Sequence, residues 1–485
     1  MSTKQKILAW VLVLILLVIF AAAWVVQGDR ATLDVAAVTG TDPVLEEPKA
    51  EAIPTVNIAE PVGWAADEVP AAAQGLAVTR FAEGLDHPRV MYTMPNGDVL
   101  VTLTRGPSSG DGGGITAWIA NLLMSRAGAT GPSPNKLVLL RDTDGDGSAD
   151  VRQVLRDDLD SPSGIAWNDG MLFIANHDEL LKFPYAMGGT TVSGAAEKLM
   201  DLPAAGNHWM RNIIINPEGT KIYVAVGSAS NIGEKGMDVE EGRAAIWEYD
   251  LAEGRQRLFA TGLRNPNGLA WNPWSGELWT TVNERDQLGS DLVPDYLTNV
   301  PLGSNYGWPW IYYKDTIDQR VKAPMPAYTN EYARRPEYAL GPHVAALGLV
   351  FSQQGTTMGD GFSNSAFIAR HGSWNRKPAS GYDVVYVAFD ARGNPQGKPV
   401  PVLTGFLTGE GTTKGRPTWV TWAGNGSLLV SDDTAGIIWR VTAPGAQPSA
   451  QIATSRTKSL PPQRELRGDP QVRFKEEYAR QQVAE

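Results

Sequence analysis

Along most of this chain, short apolar runs of strand length alternate with polar turns, and the pattern repeats. The unit is an approach ending in Gly-Leu-x-x-Pro or a variant, an apolar strand, a turn and a second apolar strand. Copies begin at Phe81 (FAEGLDHPRVMYTMPNGDVLVTLT), Leu155 (LRDDLDSPSGIAWNDGMLFIANHD), Asn207 (NHWMRNIIINPEGTKIYVAVGS) and Phe259 (FATGLRNPNGLAWNPWSGELWTTVNE). A weaker, split copy runs from His343 to GSW, and a last one starts at Gly415 (GRPTWVTWAGNGSLLVSDDTAG). Several copies are followed by a further strand pair, such as LVLLRDTDGDGSADVRQVL or AAIWEYDLAEGRQRLF. The turns carry Asn-Gly, Asp-Gly and Glu-Gly, as tight hairpins require. Four short strands per unit, recurring at intervals of roughly 50–85 residues, predict a propeller, here with six blades.

Three segments depart from this pattern. Ile115, Trp118, Ile119, Leu122 and Leu123 fall on one face of a helix, which either packs on the side of the propeller or lies on a membrane. Near the N-terminus, Lys4 and Lys6 precede an apolar run over residues 7–26. Twenty apolar residues suffice to cross a bilayer core of about 30 Å, whereas a cleaved signal has a shorter apolar stretch. The expected fold class is therefore an all-β, six-bladed propeller with an N-terminal transmembrane helix (or signal) over residues 1–27. Residues 28–74 read as a flexible linker, 75–444 as the propeller and 445–485 as a loosely ordered tail. Lysines on the short side place the propeller in the periplasm, held to the inner membrane by a single pass.

Composition adds exclusions. The 485 residues are 43% hydrophobic and 20% charged, with a formal net charge of −11 and no cysteine. Disulfides, thiolate metal sites and a lipidated cysteine are excluded. No basic stripe is present, so nucleic acid is not an expected partner.

In a propeller, chemistry gathers at the mouth of the central channel, on loops that recur from blade to blade. Just before or at the first strand of successive units the chain offers His208 with Arg211, Arg264 with Asn265, His343, and Arg416. A neutral imidazole at His208 suits removal of a hydroxyl proton near pH 7, although a histidine at a strand end is often only structural. Arginine forks at a channel mouth suit carboxylates. Arg376 and Lys377 add two cations in a neighbouring loop. The loop NERDQLGSDLVPDYL offers Glu284, Asp286, Asp291 and Asp295 as hard oxygen donors. DTDGDG, from Asp142, is similar to a calcium loop but joins two apparent strands and has Gln153 at its twelfth position, so it reads as a polar hairpin with structural calcium as an alternative. Trp308 and Trp310 could stack on a sugar ring or pack between blades.

RNPNGLAW, the ERD loop leading to NYGWP, NHWMRN before a strand, GSWNR, and RPTWV before the last blade together resemble the glucose/sorbosone dehydrogenases, from about Phe81 to Val441. The resemblance, nearer the membrane-associated L-sorbosone dehydrogenase branch, implies a six-bladed propeller that uses pyrroloquinoline quinone (PQQ) and Ca2+. It implies His208 as general base, and Arg264, Asn265, Arg376 (or Lys377) and Arg416 as cofactor contacts. Glu284, Arg285 and Asp286 fall in the segment whose backbone carbonyls hold the calcium. Asn207 stands where the glucose enzymes carry an orienting Asp, and Asn231 loosely matches their cofactor-contacting Gln. The expected activity is oxidation of a sugar or sugar aldehyde, with a membrane quinone or a cytochrome receiving the electrons. A calcium-dependent propeller lactonase and a non-catalytic sugar-binding propeller are the alternatives.

Overall fold

The computed structural model describes residues 3, 5, 10, 28–107, 125–128, 130–204, 206–409 and 411–453. Six antiparallel sheets carry the repeat, five of four strands and one of five. Blade one is Pro88–Thr93, Val99–Leu103, Lys136–Arg141 and Val151–Arg156, which pair in sequence order. Blades two and three follow the same meander. Blade four takes its outer strand, Tyr338–Pro342, from beyond an excursion over residues 300–337. Blade five gains a fifth strand from Ala71–Ala72, pairing with Pro395–Thr404. The ring is closed by the chain's own beginning. Ala77–Ala82 pairs antiparallel with Ile437–Thr442, Ala77 opposite Thr442, and so supplies the outer strand of blade six.

Side chains pack between blades. Leu100, Leu139, Leu172, Ile174, Leu429 and Ile438, from three neighbouring blades, share one cluster, each fully buried. Burying a Leu or Ile side chain contributes about 1.5–3 kcal/mol. Near the axis the inner strands approach so closely that some positions have no room for a side chain. A Cβ on Gly164 would lie 2.4 Å from the Arg211 carbonyl, and one on Gly268 would lie 2.4 Å from that of Leu347. These are the glycines of SPSGIAW and NPNGLAW, and each lets the next blade's inner strand lie against its own.

Two expectations change here. Residues 28–74, read as a tether from their composition, lie on the propeller. Gly40 exchanges backbone hydrogen bonds with Ala339, Glu60–Pro61 pairs with Thr412–Thr413, and Trp64 packs edge-on against Phe406 and Trp439. The membrane anchor is withdrawn. Spanning a bilayer takes about 20 consecutive apolar residues in one helix, and no helix among the described residues is long and apolar enough to do so. The transmembrane helix, the single-pass inner-membrane location, the membrane as partner and the membrane quinone as acceptor go with it. The apolar run itself, except Trp10, lies outside the described residues, as do the helix expected over 115–123 and the tail beyond residue 453.

Candidate functional site

Two kinds of loop meet at one end of the ring: those entering each blade's first strand, and those joining its second and third strands. Between them lies a cavity of about 200 Å³ whose wall includes His208, Arg264, Asn265, Asp286, Asp295, His343, Trp374 and Asn375. Blades three, four and five contribute.

His208 is fixed by its ring. Its Nδ1 lies 2.8 Å from the Ser228 carbonyl oxygen, which can only accept, so Nδ1 carries the proton and donates. Nε2 then keeps a lone pair. Burial, reinforced by the Arg264 guanidinium, lowers the His208 pKa to about 3, so the imidazole is neutral at physiological pH. The Ser228 carbonyl does the orienting that Asn207 cannot. Gly227 makes this possible, since a Cβ there would sit 2.3 Å from Asn265 Oδ1 and 2.6 Å from His208 Cβ.

Arg264 lines the cavity, but its guanidinium is saturated. It donates to the Asn231 carbonyl and Oδ1, the carbonyls of Asn283 and Glu284, and Asp286 Oδ2, the last at 2.9 Å. Asn231 also receives the Asp286 amide, 2.9 Å from its Oδ1, and so ties Arg264 to the acidic loop. Burial alone would raise the Asp286 pKa. Arg264, His343 and Asn375 outweigh it and hold the carboxyl well below the usual range. His343 answers in the opposite sense: burial would lower its pKa, but Asp286, 3.6 Å from Nδ1, raises it. Asp295, held by the amides of Glu284 and Ala345, is pushed up to about 7 by burial. Asn375 is bonded through its nitrogen alone: Nδ2 donates to Asp286 Oδ1, while Oδ1 is buried without a hydrogen-bond partner.

A second cluster, of which the sequence pattern singles out only Arg416, lies beside the first. Asp433 accepts from Arg89 at 2.6 Å and lies 3.1 Å from His371 Nε2 and 3.5 Å from His87 Nε2. Burial would raise the Asp433 pKa, yet His371, His87 and Arg89 hold it far below normal. Arg89 stacks on Trp209, the residue after His208, at 5.5 Å. Arg416 belongs to this cluster: its positive charge helps lower the His371 pKa, behind burial, and it donates to the Tyr382 hydroxyl at 3.1 Å. The Nε atoms of Arg89 and Arg416 are both buried without a hydrogen-bond partner.

The other expected residues are placed as follows. Asn265 is on the wall, bonded to Asn283. Arg376 is not on the cavity wall and clamps Asp291, the Ser290 carbonyl and the Pro378 carbonyl. Lys377 is not on the cavity wall, and its backbone carbonyl holds the Ala31 amide. Arg285 is fully buried and bonds Glu284, Pro309 and Ile311. Trp308 and Trp310 both pack, donating to the carbonyls of Asn231 and Ala323. The aromatic ring at the cavity is instead Trp374, 39% exposed. The Asp142 loop joins two paired strands, as expected of a hairpin, and gathers Asp142, Asp144 and Asp146 at the surface.

A family model described as TrAA12-like matches residues 121–300 and 317–444. The chain belongs to the TrAA12-like family. A protein of Borreliella burgdorferi described as uncharacterized is 26% identical over 294 residues, 58% of this chain and 76% of the relative. A pyrroloquinoline quinone-dependent pyranose dehydrogenase of Coprinopsis cinerea is 26% identical over 303 residues, 50% of this chain and only 41% of the relative. Among solved structures, the iodide structure of a Trichoderma reesei enzyme of family AA12 aligns with a TM-score of 0.62 at 21% identity, covering 77% of this chain and 97% of that one. The PQQ domain of the Coprinopsis cinerea pyranose dehydrogenase, in its holo form, aligns at 0.60 and 21%, covering 79% and 100%. At these identities the structures establish the propeller fold. The similarities support an oxidoreductase-type enzyme at the level of the TrAA12-like family, and they give no specific link to the sorbosone branch.

Proposed function

We propose that this TrAA12-like chain oxidises a sugar or sugar aldehyde, with His208 as the base and pyrroloquinoline quinone as the electron acceptor. The observation that carries the reading is the neutral His208 imidazole, held through Nδ1 by the Ser228 carbonyl on the wall of a polar cavity. The relative of Coprinopsis cinerea is named for the same quinone.

The quinone is a tricarboxylate, and the residues present fit such a group. Arg89 and Arg416 each keep a buried Nε without a partner, and of the two Arg89 is ion-paired with Asp433 while Arg416 bonds the neutral Tyr382 hydroxyl. The site thus has positive charge to spare for an anionic ligand. Arg89 and Arg416, in the cluster beside the cavity rather than on its wall, are the residues that would hold it. Arg264, already saturated, acts on His208 through its field. When bound, the quinone supplies the acceptor for two electrons and the hydrogen leaving the sugar carbon. His208 Nε2 takes the hydroxyl proton, or that of a hydrated aldehyde, while Ser228 keeps the ring in the reactive tautomer. Trp374 offers a ring face for the sugar.

Calcium fits less well where the resemblance puts it. The Glu284 carbonyl accepts from Arg264 and the Asp286 carbonyl from Arg320, at 2.6 and 2.8 Å, so a cation there would share each oxygen with a guanidinium and be repelled by its charge. No step is assigned to a metal here. The same pairing disfavours a lactonase, which needs carboxylates around a bare ion rather than against an arginine.

The test is direct. The purified chain, incubated with PQQ with and without added calcium, should reduce a redox dye when given aldoses or sugar aldehydes. Dye reduction without the quinone, or lactone hydrolysis with calcium alone, would overturn the proposal.

A further inference from the structure

Blade two carries a set of side chains that sugar oxidation does not use. Asp160 lies in the loop entering Gly164–Asn168, and His177 and Asp178 lie in the turn between Met171–Ala175 and Glu179–Pro184. One ligating atom from each lies within 4.8 Å of the other two. His177 Nδ1 is 3.6 Å from Asp160 Oδ1 and 3.8 Å from Asp178 Oδ1. These separations are too long for hydrogen bonds. Neither His177 Nδ1 nor Asp178 Oδ1 makes one, although both atoms are buried. Ligand atoms around one tetrahedral ion lie about 3.3–3.6 Å apart when each is 2.0–2.2 Å from the metal.

We propose that His177, Asp160 and Asp178 bind one divalent transition-metal ion of the zinc class. The ligands are set in place by the backbone. The His177 amide donates to the Asp160 carbonyl at 3.2 Å, and the Asp160 amide donates to Asn176 Oδ1 at 3.2 Å. The Ser161 hydroxyl reaches Asp160 Oδ1 at 3.3 Å and leaves that oxygen a lone pair. One imidazole nitrogen with two carboxylates suits zinc, cobalt or manganese, whereas calcium takes six to eight oxygens. The exposed side of Asp160 leaves water a remaining position.

The site also reaches the loop that bears His208. The Asp178 carbonyl holds the Leu202 amide, and Arg211 bridges the next residue's carbonyl, that of Pro203, to the His208 carbonyl. A metal at Asp178 therefore stiffens the support of the cavity without entering it. This proposal stands independently of the quinone.

Tag-free full-length protein, stripped with a chelator, should bind one equivalent of Co2+ and show a visible d–d absorption that Zn2+ abolishes and excess Ca2+ does not. Binding should weaken at least tenfold in His177→Ala and in Asp160→Asn, the latter changing only an exposed carboxylate. Thermal unfolding of the wild type should shift upward with Zn2+, and that of His177→Ala should not. The absence of a stoichiometric Co2+ spectrum in the wild type would overturn the proposal. So would a spectrum unchanged in both variants, or one lost in His208→Ala instead.

Discussion

The Nδ1 atom of His208 lies 2.8 Å from the backbone carbonyl oxygen of Ser228. A main-chain carbonyl cannot be protonated in the physiological range, so this contact fixes one tautomer at every pH where the ring is neutral. Ser228 is held in turn: its hydroxyl donates to the Ser230 carbonyl, and the buried Glu240 carboxylate receives both the Ala229 amide and the Ser230 hydroxyl. The base is thus aimed by a hydrogen-bonded turn rather than by a neighbouring acid.

Replacing His208 should therefore remove proton transfer and little else. His208→Gln is expected to lower kcat by about 10²–10⁴-fold, with quinone affinity within a few-fold of wild type. Steady-state dye reduction at saturating quinone, alongside a quinone titration, checks both. Comparable losses in affinity and turnover would assign His208 to cofactor binding instead.

The pH profile follows from the sign of the His208 shift. The neutral imidazole is the base, and its folded pKa lies below the ordinary 6.5, at about 3. The reactive form therefore persists as pH falls through 6.5 and is lost only as pH nears the folded value. The acid limb of kcat/KM, which reports the free enzyme, should lie well below pH 6. Arg264 is the second cause of the shift, after burial. In Arg264→Gln the limb should move upward. A wild-type limb at 6.5 would mean a solvated histidine.

The ring of blades was legible because its physics is local. Strand-length apolar runs, Asn-Gly and Asp-Gly turns, and the glycines of SPSGIAW and NPNGLAW all act within a few residues of where they are read. The meeting of His208, Arg264 and Asn265 at one cavity was legible for a related reason, since each precedes an inner strand at a repeated position. Partners were not legible. Arg264, Arg376 and Arg416 are alike in sequence, yet one is saturated by Asn231 and Asp286, one is clamped on Asp291, and one keeps a vacant Nε. That difference depends on residues from other blades. Arg89, His371 and Asp433 escaped notice for the same reason, coming from blades one, five and six. The segment 28–74 misled because its Ala- and Pro-rich composition hides single anchors such as Trp64.

Trp374 should matter for substrate more than for stability. It is 39% exposed on the cavity wall, so Trp374→Ala removes a stacking face without opening the core. KM for the sugar is expected to rise about two- to tenfold, in line with the 0.5–1.5 kcal/mol typical of ring contacts, with the unfolding midpoint nearly unchanged. An unaltered KM would place the sugar elsewhere in the mouth.

Arg376 and Arg416 make opposite predictions. Arg376 is buried against Asp291, with side chains 3% and 1% exposed. Asp291 also receives the amides of Thr32 and Leu33. Arg376→Met leaves a buried carboxylate without its cation, a loss of about 3–5 kcal/mol, and loosens the strap at residues 32–33. Its quinone affinity, measured on the folded fraction, should be close to wild type. Arg416 makes one side-chain hydrogen bond, to Tyr382, and stacks on that ring at 5.1 Å. Arg416→Met should cost much less stability but weaken quinone binding at least tenfold, because its unpaired Nε and its charge are then absent. Chemical denaturation of both variants, with quinone titrations, separates the two roles. Equal quinone affinities in the two variants would remove Arg416 from the cofactor's contacts.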